Sequence, residues 1–413
     1  MKIQTVKALP AKIKNGDVFA IDVKDVSYLT HNYFKYPCKF IPQIPSWALE
    51  NLLPKNKVKK VYDPFAGSGT SLVEAILHGH KAYGADIDPL SRLLARVKSA
   101  TYSSKDIVEL RKILSRISDK KLLANYKRHI PALPNIDLFF DKKTISELAS
   151  LRGRIEAITD KKLREFFLVM FASIIRKASL TDEVSPKPYV SKKHPKKKVD
   201  WYGIFLKKTS EAVGRAEEFS KLKIGKLVKV EDDARNSKIN AKSIDIAITS
   251  PPYINAFDYV RSLKLENYWL GLVDDKSIEL LRKNNIGTES VRKELRHLIK
   301  PPKSLVSAVS AIEKVDKRRS KIVSEYFFDM NLNLQNVHGL LKKGSKYVIV
   351  VADSDIRGIA VPTSEILISL AKQVGFKCNL KFGYMIRNRY LRIPRQGRGG
   401  LMKIDWVMVL EKK

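Results

Sequence analysis

Residues 59–70, KKVYDPFAGSGT, decide the fold of this chain. The first five predict a short β-strand that ends at Asp63, and a glycine-rich turn follows at once. Residues 71–78 have the apolar spacing of a helix, and residues 81–87 (KAYGADI) predict a second strand. The order strand, glycine-rich turn, helix, strand is typical of the opening of a parallel α/β sheet.

The glycine-rich turn has the chemistry of a nucleoside pocket. Gly67 and Gly69 lack a Cβ, so the backbone can turn tightly and a ligand can approach its N–H groups. Asp86 ends the next strand, where a carboxylate can bind both hydroxyls of a ribose. The Gly-Lys-Ser/Thr ending of a phosphate loop is absent, and Asp63 would repel a phosphate. The turn therefore predicts a ligand that carries a cation or an amino group.

A second motif, TSPPY at residues 249–253, directly follows an apolar strand. Its two prolines remove two N–H donors, which leaves carbonyls free to accept hydrogen bonds from a ligand amine. Ser250 adds a further acceptor, and Tyr253 offers a ring on which an unstacked base can lie. This arrangement predicts a site for the exocyclic amine of a nucleic-acid base.

Together the two motifs resemble those of the amino-methyltransferases that modify exocyclic amines of nucleic-acid bases with S-adenosylmethionine. The Ser-Pro-Pro-Tyr form is similar to that of N4-cytosine DNA methyltransferases, whereas adenine-N6 enzymes usually begin this tetrapeptide with Asp or Asn. The resemblance implies a Rossmann-like doubly wound α/β sheet, S-adenosylmethionine as cofactor and no need for a metal. It also covers Phe40, in a segment ahead of the glycine-rich turn, and the acidic turn at residues 233–235.

The resemblance implies two sets of site residues. The expected catalytic residues are Ser250, Pro251, Pro252 and Tyr253. The expected cofactor-binding residues are Phe40, Asp63, Pro64, Phe65, Ala66, Gly67, Ser68, Gly69, Thr70, Asp86, Asp233 and Ala234.

The α/β pattern is interrupted between residues 91 and 226, where helical periodicity predominates. We therefore predict a catalytic domain formed by residues 1–90 and 227–413, and a helical insertion, residues 91–226, as a nucleic-acid recognition region. Strands predicted over residues 380–386 and 405–410 form a C-terminal antiparallel hairpin. Enzymes of the resembling family carry their recognition region elsewhere, so the insertion leaves the choice between DNA and RNA open.

The chain has 78 Lys and Arg against 43 Asp and Glu, a net charge of +35. Such a surface attracts polyanions, above all nucleic acid, although a lysine-rich proteome gives the same excess. Two segments are predicted to contact phosphates, a basic loop and an arginine-rich hairpin. Their basic residues are Lys192, Lys193, Lys196, Lys197, Lys198, Arg387, Arg389, Arg392, Arg395 and Arg398.

The cysteine count and the length of the apolar runs indicate the class of protein. Two cysteines argue against a disulfide framework and favour a reducing, cytoplasmic setting. The longest near-apolar run, residues 166–175, is too short to span a membrane, so no membrane partner is expected.

The sequence thus predicts a site-specific DNA cytosine-N4 methyltransferase of a restriction–modification system, with DNA and a cognate restriction endonuclease as partners. An RNA N4-cytidine methyltransferase, acting for instance on ribosomal RNA, remains open. So do a DNA adenine-N6 methyltransferase and a non-catalytic nucleic-acid-binding protein. The sequence predicts no oligomeric state.

Overall fold

The computed structural model describes residues 3–22, 26–37, 40–119, 128–183, 185, 187–222, 225–254, 258–291, 296, 298–385 and 404–413. The strands, in chain order, are β1 (Ile3–Val6), β2 (Val18–Ile21), β3 (Lys60–Asp63), β4 (Lys81–Ala85), β5 (Lys226–Glu231), β6 (Ile244–Thr249), β7 (Leu341–Ala352), β8 (Ser354–Ile356), β9 (Ile359–Val361), β10 (Phe376–Met385) and β11 (Ile404–Lys412). The helices are α1 (Gln43–Leu52), α2 (Thr70–Leu77), α3 (Pro89–Lys98), α4 (Ser104–Ser118), α5 (Lys142–Glu156), α6 (Lys161–Ala178), α7 (Trp201–Lys221), α8 (Tyr259–Ser262), α9 (Lys264–Trp269), α10 (Asp275–Asn284), α11 (Lys303–Val315), α12 (Lys317–Leu340) and α13 (Thr363–Val374).

Nine strands form one sheet in the order β1-β2-β10-β11-β7-β6-β3-β4-β5. Strands β5, β4, β3, β6 and β7 pair in parallel, and β11 lies antiparallel between β7 and β10. The predicted fold class is therefore confirmed: a Rossmann-like doubly wound α/β sheet with a C-terminal antiparallel pair. The strand order reverses between β3 and β6, and ligands of such sheets bind where the strands on either side of this point end.

The predicted strands and helices are found, and most differences lie at their ends. Strand β7 begins at Leu341, ahead of its apolar residues 347–351, because it already pairs with β6 there, opposite Ile244. Four strands were missed, and two of them, β8 and β9, form a separate two-stranded sheet. β1 and β2 extend the sheet past β10, and all four residues of β2 are buried. Each is only four residues long, too short for a clear alternation of apolar and polar residues.

Helices α3–α7 form a layer beside the sheet. Asp141 and Asp160 cap α5 and α6, accepting hydrogen bonds from backbone N–H groups of the first helical turns. The apolar core of this layer continues into α9 through Trp269, whose carbonyl accepts a hydrogen bond from the buried Arg152 at 3.2 Å. Residues 91–226 thus share a core with a helix that follows the TSPPY motif, while the domain boundaries themselves remain a prediction. None of the helices in the described part of the chain is both long and apolar enough to cross a bilayer.

Candidate functional site

A pocket lies at the carboxyl edge of the sheet, beside the strand-order reversal. It brings together residues that are far apart in the sequence, from the segments that follow β3, β4, β5 and β6. The predicted residues that line it are Phe40, Pro64, Phe65, Ala66, Gly67, Ser68, Thr70, Asp86, Asp233, Ala234, Ser250 and Pro252. The predicted residues Asp63, Gly69, Pro251 and Tyr253 belong to the same turns without being part of the lining.

The glycine-rich turn requires its glycines. Gly67 and Gly69 both have positive φ, 49° and 81°, a conformation that strains other residues. A Cβ on Gly67 would lie 3.2 Å from the ring of Tyr36, and one on Gly69 would lie 3.0 Å from the Cα of Ala95. The turn therefore packs closely between a tyrosine and helix α3, and its backbone remains open to a ligand on the pocket side.

Asp86 is held in place by backbone N–H groups. Its Oδ2 accepts a hydrogen bond from the N–H of Gly67 at 2.8 Å, and its Oδ1 accepts one from the N–H of Asp88 at 2.9 Å. Burial, together with the charge of Asp88, raises the pKa of Asp86 to about 7. A fixed carboxylate at the end of a strand, with further lone pairs facing a pocket, is suited to accept hydrogen bonds from ligand hydroxyls.

Asp63 is buried at the end of β3. Its Oδ1 accepts hydrogen bonds from the hydroxyl of Thr249 at 2.5 Å and from the N–H of Phe65 at 3.0 Å. Its Oδ2 is also buried and forms no hydrogen bond among the described residues, although the nearby Ser71 hydroxyl helps to lower the pKa of this carboxyl. Burial raises the pKa of Asp63 to about 6. A buried carboxylate oxygen without a partner is costly, so this atom is a candidate acceptor for a ligand cation.

The acidic turn after β5 is arranged differently. Arg235 donates to both carboxylate oxygens of Asp233, each at 2.9 Å, and to Asp329 at 3.2 Å. Burial by itself would raise the pKa of Asp233, but the Arg235 guanidinium holds it below its ordinary value. The carbonyl of Ala234 accepts hydrogen bonds from Asn333 and Asn336 of α12. The turn therefore forms a rigid wall of the pocket, and the carboxylate of Asp233 is already paired with the Arg235 guanidinium.

The TSPPY motif faces this pocket from the end of β6. Ser250 and Pro252 line the pocket, Pro251 is buried, and Tyr253 turns its hydroxyl towards Asp405. Ser250, one of the acceptors predicted for an amine, thus lines the same pocket as Asp86, the carboxylate that suits a ribose.

Sequence reasoning missed Tyr36, and it left Tyr259 open between a place in the base pocket and the cap of the next helix. Tyr36 and Tyr259 line the pocket with nearly parallel rings, 6.5 Å apart, and the Tyr36 hydroxyl lies 2.9 Å from that of Ser91. Residues 284–286, at the end of α10, complete one wall. Tyr36 lies close to the predicted Phe40 segment, a proximity that could have suggested it. Asn284 and Asn285 carry no motif and were missed, whereas Ile286 begins a polar loop for which a position over the site and an ordinary turn were both left open.

The lysines predicted to contact phosphates differ in their exposure to solvent. Lys192, Lys193 and Lys197 are exposed, and Lys198 is exposed beside Asp141 at 3.0 Å. Lys196, by contrast, donates to three backbone carbonyls at the end of α6 and forms an ion pair with Glu183. Lys196 therefore caps a helix, and we assign it this structural role in place of the predicted phosphate contact. The arginine-rich hairpin lies outside the described residues.

Comparisons with known proteins agree with these motifs. No family model matches the chain. The chain is 28% identical over 394 residues to the type II methyltransferase M.MvaI of Kocuria varians, covering 89% of this chain and 86% of that protein. It is 23% identical over 408 residues to the type II methyltransferase M.BsoBI of Geobacillus stearothermophilus, covering 84% and 78%.

Among solved structures, an S-adenosylmethionine-dependent methyltransferase from Methanosarcina mazei matches 88% of this chain and 96% of its own, with 10% identity and a TM-score of 0.31. TrmN from Thermus thermophilus matches 91% of this chain and 49% of its own, with 12% identity and a TM-score of 0.31. Both TM-scores are low, so the fold assignment rests on the sheet itself. The chain is thus similar, over most of its length, to proteins named type II methyltransferases.

Proposed function

We propose that the chain is a site-specific DNA methyltransferase that transfers the methyl group of S-adenosylmethionine to the N4 amine of cytosine. The observation that carries the proposal is the position of Ser250 and Pro252 in the same pocket as Asp86 and the glycine-rich turn. Amine acceptors and nucleoside-binding carboxylates share one pocket, as a methyl transfer from a nucleoside cofactor to a base amine requires.

The pocket residues fit S-adenosylmethionine. Asp63, in the turn beside the pocket, suits the ammonium group of its methionine part through its buried Oδ2, and the carboxylate of the lining residue Asp86 suits the hydroxyls of its ribose. Residues 233–234 provide the wall against which an adenine can lie. The cofactor supplies a methyl group on a sulfonium centre, which makes that carbon open to attack by a nucleophile.

The residues of the TSPPY motif prepare the base amine. The lone pair of an exocyclic amine is conjugated with its ring, which makes it a poor nucleophile. The Ser250 hydroxyl and the Pro251 carbonyl accept hydrogen bonds from the amine N–H groups, which favours a tetrahedral nitrogen and frees its lone pair. The nitrogen then forms a bond to the methyl carbon as the sulfur–methyl bond breaks, and the methylated amine afterwards loses a proton to solvent. The same acceptors stabilise the positive charge that develops on the nitrogen during transfer. The ring of Tyr253 supports the base once it has left the helix.

Three observations support DNA and the cytosine amine. The relatives of the chain are named type II methyltransferases. The net charge of +35 suits a polyanionic substrate. Ser250, at the position where the resembling adenine-N6 enzymes usually carry Asp or Asn, favours cytosine. We propose on the same grounds that the enzyme acts in the cytoplasm, as the modification partner of a restriction endonuclease.

A transfer assay tests the proposal. The purified chain is incubated with methyl-tritiated S-adenosylmethionine and either unmethylated bacterial DNA or bacterial RNA, and Ser250→Ala serves as the matched variant. We expect label in DNA, and a loss of turnover of about 100-fold in Ser250→Ala, as for removal of one transition-state acceptor, with cofactor affinity within about twofold of wild type. Label in RNA alone, or full turnover in Ser250→Ala, would contradict the proposal.

A further inference from the structure

The topology of the sheet brings a distant carboxylate to the TSPPY motif. β11 runs antiparallel to β7, so its first residues lie at the edge where the parallel strands end. Asp405, near the start of β11, lies opposite Ala352 of β7 and Tyr384 of β10. Although Asp405 is 152 residues further along the chain, its side chain reaches the loop that contains Tyr253.

The contact is a hydrogen bond of ordinary length to a buried group. The hydroxyl of Tyr253 donates to Oδ1 of Asp405 at 2.9 Å, and Asp405 is only 5% exposed. The hydroxyl of Tyr384 is a second hydrogen-bonding partner of the same carboxylate. Burial raises the pKa of Asp405 to about 6, so the group is ionised at neutral pH and can accept from both tyrosines. Burial, and then the charge of Asp405, raise the pKa of Tyr253, so its hydroxyl remains a donor.

A hydrogen bond at the tip of a tyrosine restricts the plane of its ring. Tyr253 follows two prolines, which fix the backbone on one side, and the hydroxyl is tied to a strand of the central sheet on the other. A ring held at both ends is oriented before a base binds, so little conformational entropy is lost when the base stacks on it. A charge-assisted hydrogen bond is strong enough for this purpose.

We propose that Asp405 is a positioning residue for the methyl transfer: it holds the ring of Tyr253 in the orientation on which the target base stacks. The inference rests on the proposed function, because it assumes that Tyr253 supports a base. Asp405 acts through Tyr253 and does not itself touch the reacting atoms.

A double-mutant cycle separates this role from a merely structural one. The variants are Asp405→Ala, Tyr253→Phe and their combination, with Tyr384→Phe as the control that removes the other hydroxyl from the same carboxylate. We expect each of the first two to lower kcat on DNA about tenfold, and the double variant to be no slower than the slower single variant, because both remove the same contact. The affinity of these variants for the cofactor should be unchanged. The control Tyr384→Phe should keep most of the wild-type turnover. Asp405→Asn retains an acceptor oxygen and should therefore have a higher kcat than Asp405→Ala. Losses that multiply to about 100-fold in the double variant, or full turnover in Asp405→Ala, would overturn the proposal.

A second cycle does not depend on activity. The urea midpoints of the same four proteins, wild type included, report whether the two side chains are coupled in the folded chain. Midpoint shifts that fail to add support the contact even if wild type transfers no methyl group to DNA, an outcome that would reject the proposed function alone. Shifts that add fully would reject the contact, whatever the activity.

Discussion

Asp86 and Asp233 follow the ends of neighbouring strands, β4 and β5, and line the same pocket, yet their carboxylates have opposite surroundings. Asp86 is held by two backbone N–H groups, and burial raises its pKa to about 7. Asp233 is held by both arms of the Arg235 guanidinium, and its pKa is lowered despite its burial. The first carboxylate is oriented by the backbone and forms no ion pair among the described residues, which suits a ligand, whereas the second is already paired with Arg235 and organises the pocket wall.

Among the substitutions, the largest expected effect on cofactor binding is that of Asp86→Asn, and the matched change at the other carboxylate is Asp233→Asn. Asp86→Asn keeps one acceptor oxygen for the backbone but loses the charge that strengthens hydrogen bonds from ribose hydroxyls. We expect the Kd for S-adenosylmethionine, measured by calorimetry, to rise roughly 30-fold, or about 2 kcal/mol. An unchanged Kd would show that Asp86 does not bind the ribose.

The pH dependence of cofactor binding sharpens the comparison. The pKa values of Asp63 and Asp86 in the free protein are raised to about 6 and about 7, and a ligand that donates to them favours their ionised forms. Binding therefore releases protons at low pH, and affinity should fall as the pH decreases through this range, by up to roughly 100-fold between pH 7.5 and 5.5, of which Asp86 contributes the larger part. Asp63→Asn should flatten the lower part of the curve and Asp86→Asn the upper part. Affinity that is constant over the range would contradict this assignment.

The smallest effect on binding is expected at the paired carboxylate. Asp233→Asn should raise the Kd for the cofactor less than about threefold, because the Asp233 charge is already balanced by Arg235. Its cost should instead appear in stability, with a fall of ~1 kcal/mol in the free energy of unfolding, since the ion pair is partly exposed to solvent. Should Asp233→Asn weaken cofactor binding as much as Asp86→Asn does, the distinction between the two carboxylates would be lost.

The sequence predicted what depends on neighbouring residues. The strand before Asp63, the glycine-rich turn and the helix after it are encoded locally, and so are the Asp caps of α5 and α6. The predicted cofactor residues lie together because parallel strands end at one edge of the sheet.

What the sequence could not predict depends on contacts between distant segments. Asp405 meets Tyr253 only because β11 reverses direction within the sheet. The ion pair of Arg235 with Asp233 is close in sequence, but only the folded turn shows that it occupies both carboxylate oxygens. Lys196 lies within a basic run that reads as exposed, and its contacts with the end of α6 follow from tertiary packing.

The identity of the methylated base is the most direct test of the account. The chain, or its Ser250→Ala variant, is expressed in a host that lacks DNA methylation, and the nucleosides of host DNA and RNA are analysed by mass spectrometry. We predict N4-methyldeoxycytidine in DNA from cells with the wild-type chain and its absence with Ser250→Ala. N6-methyldeoxyadenosine in DNA, or a modified base found in RNA alone, would contradict the proposed function.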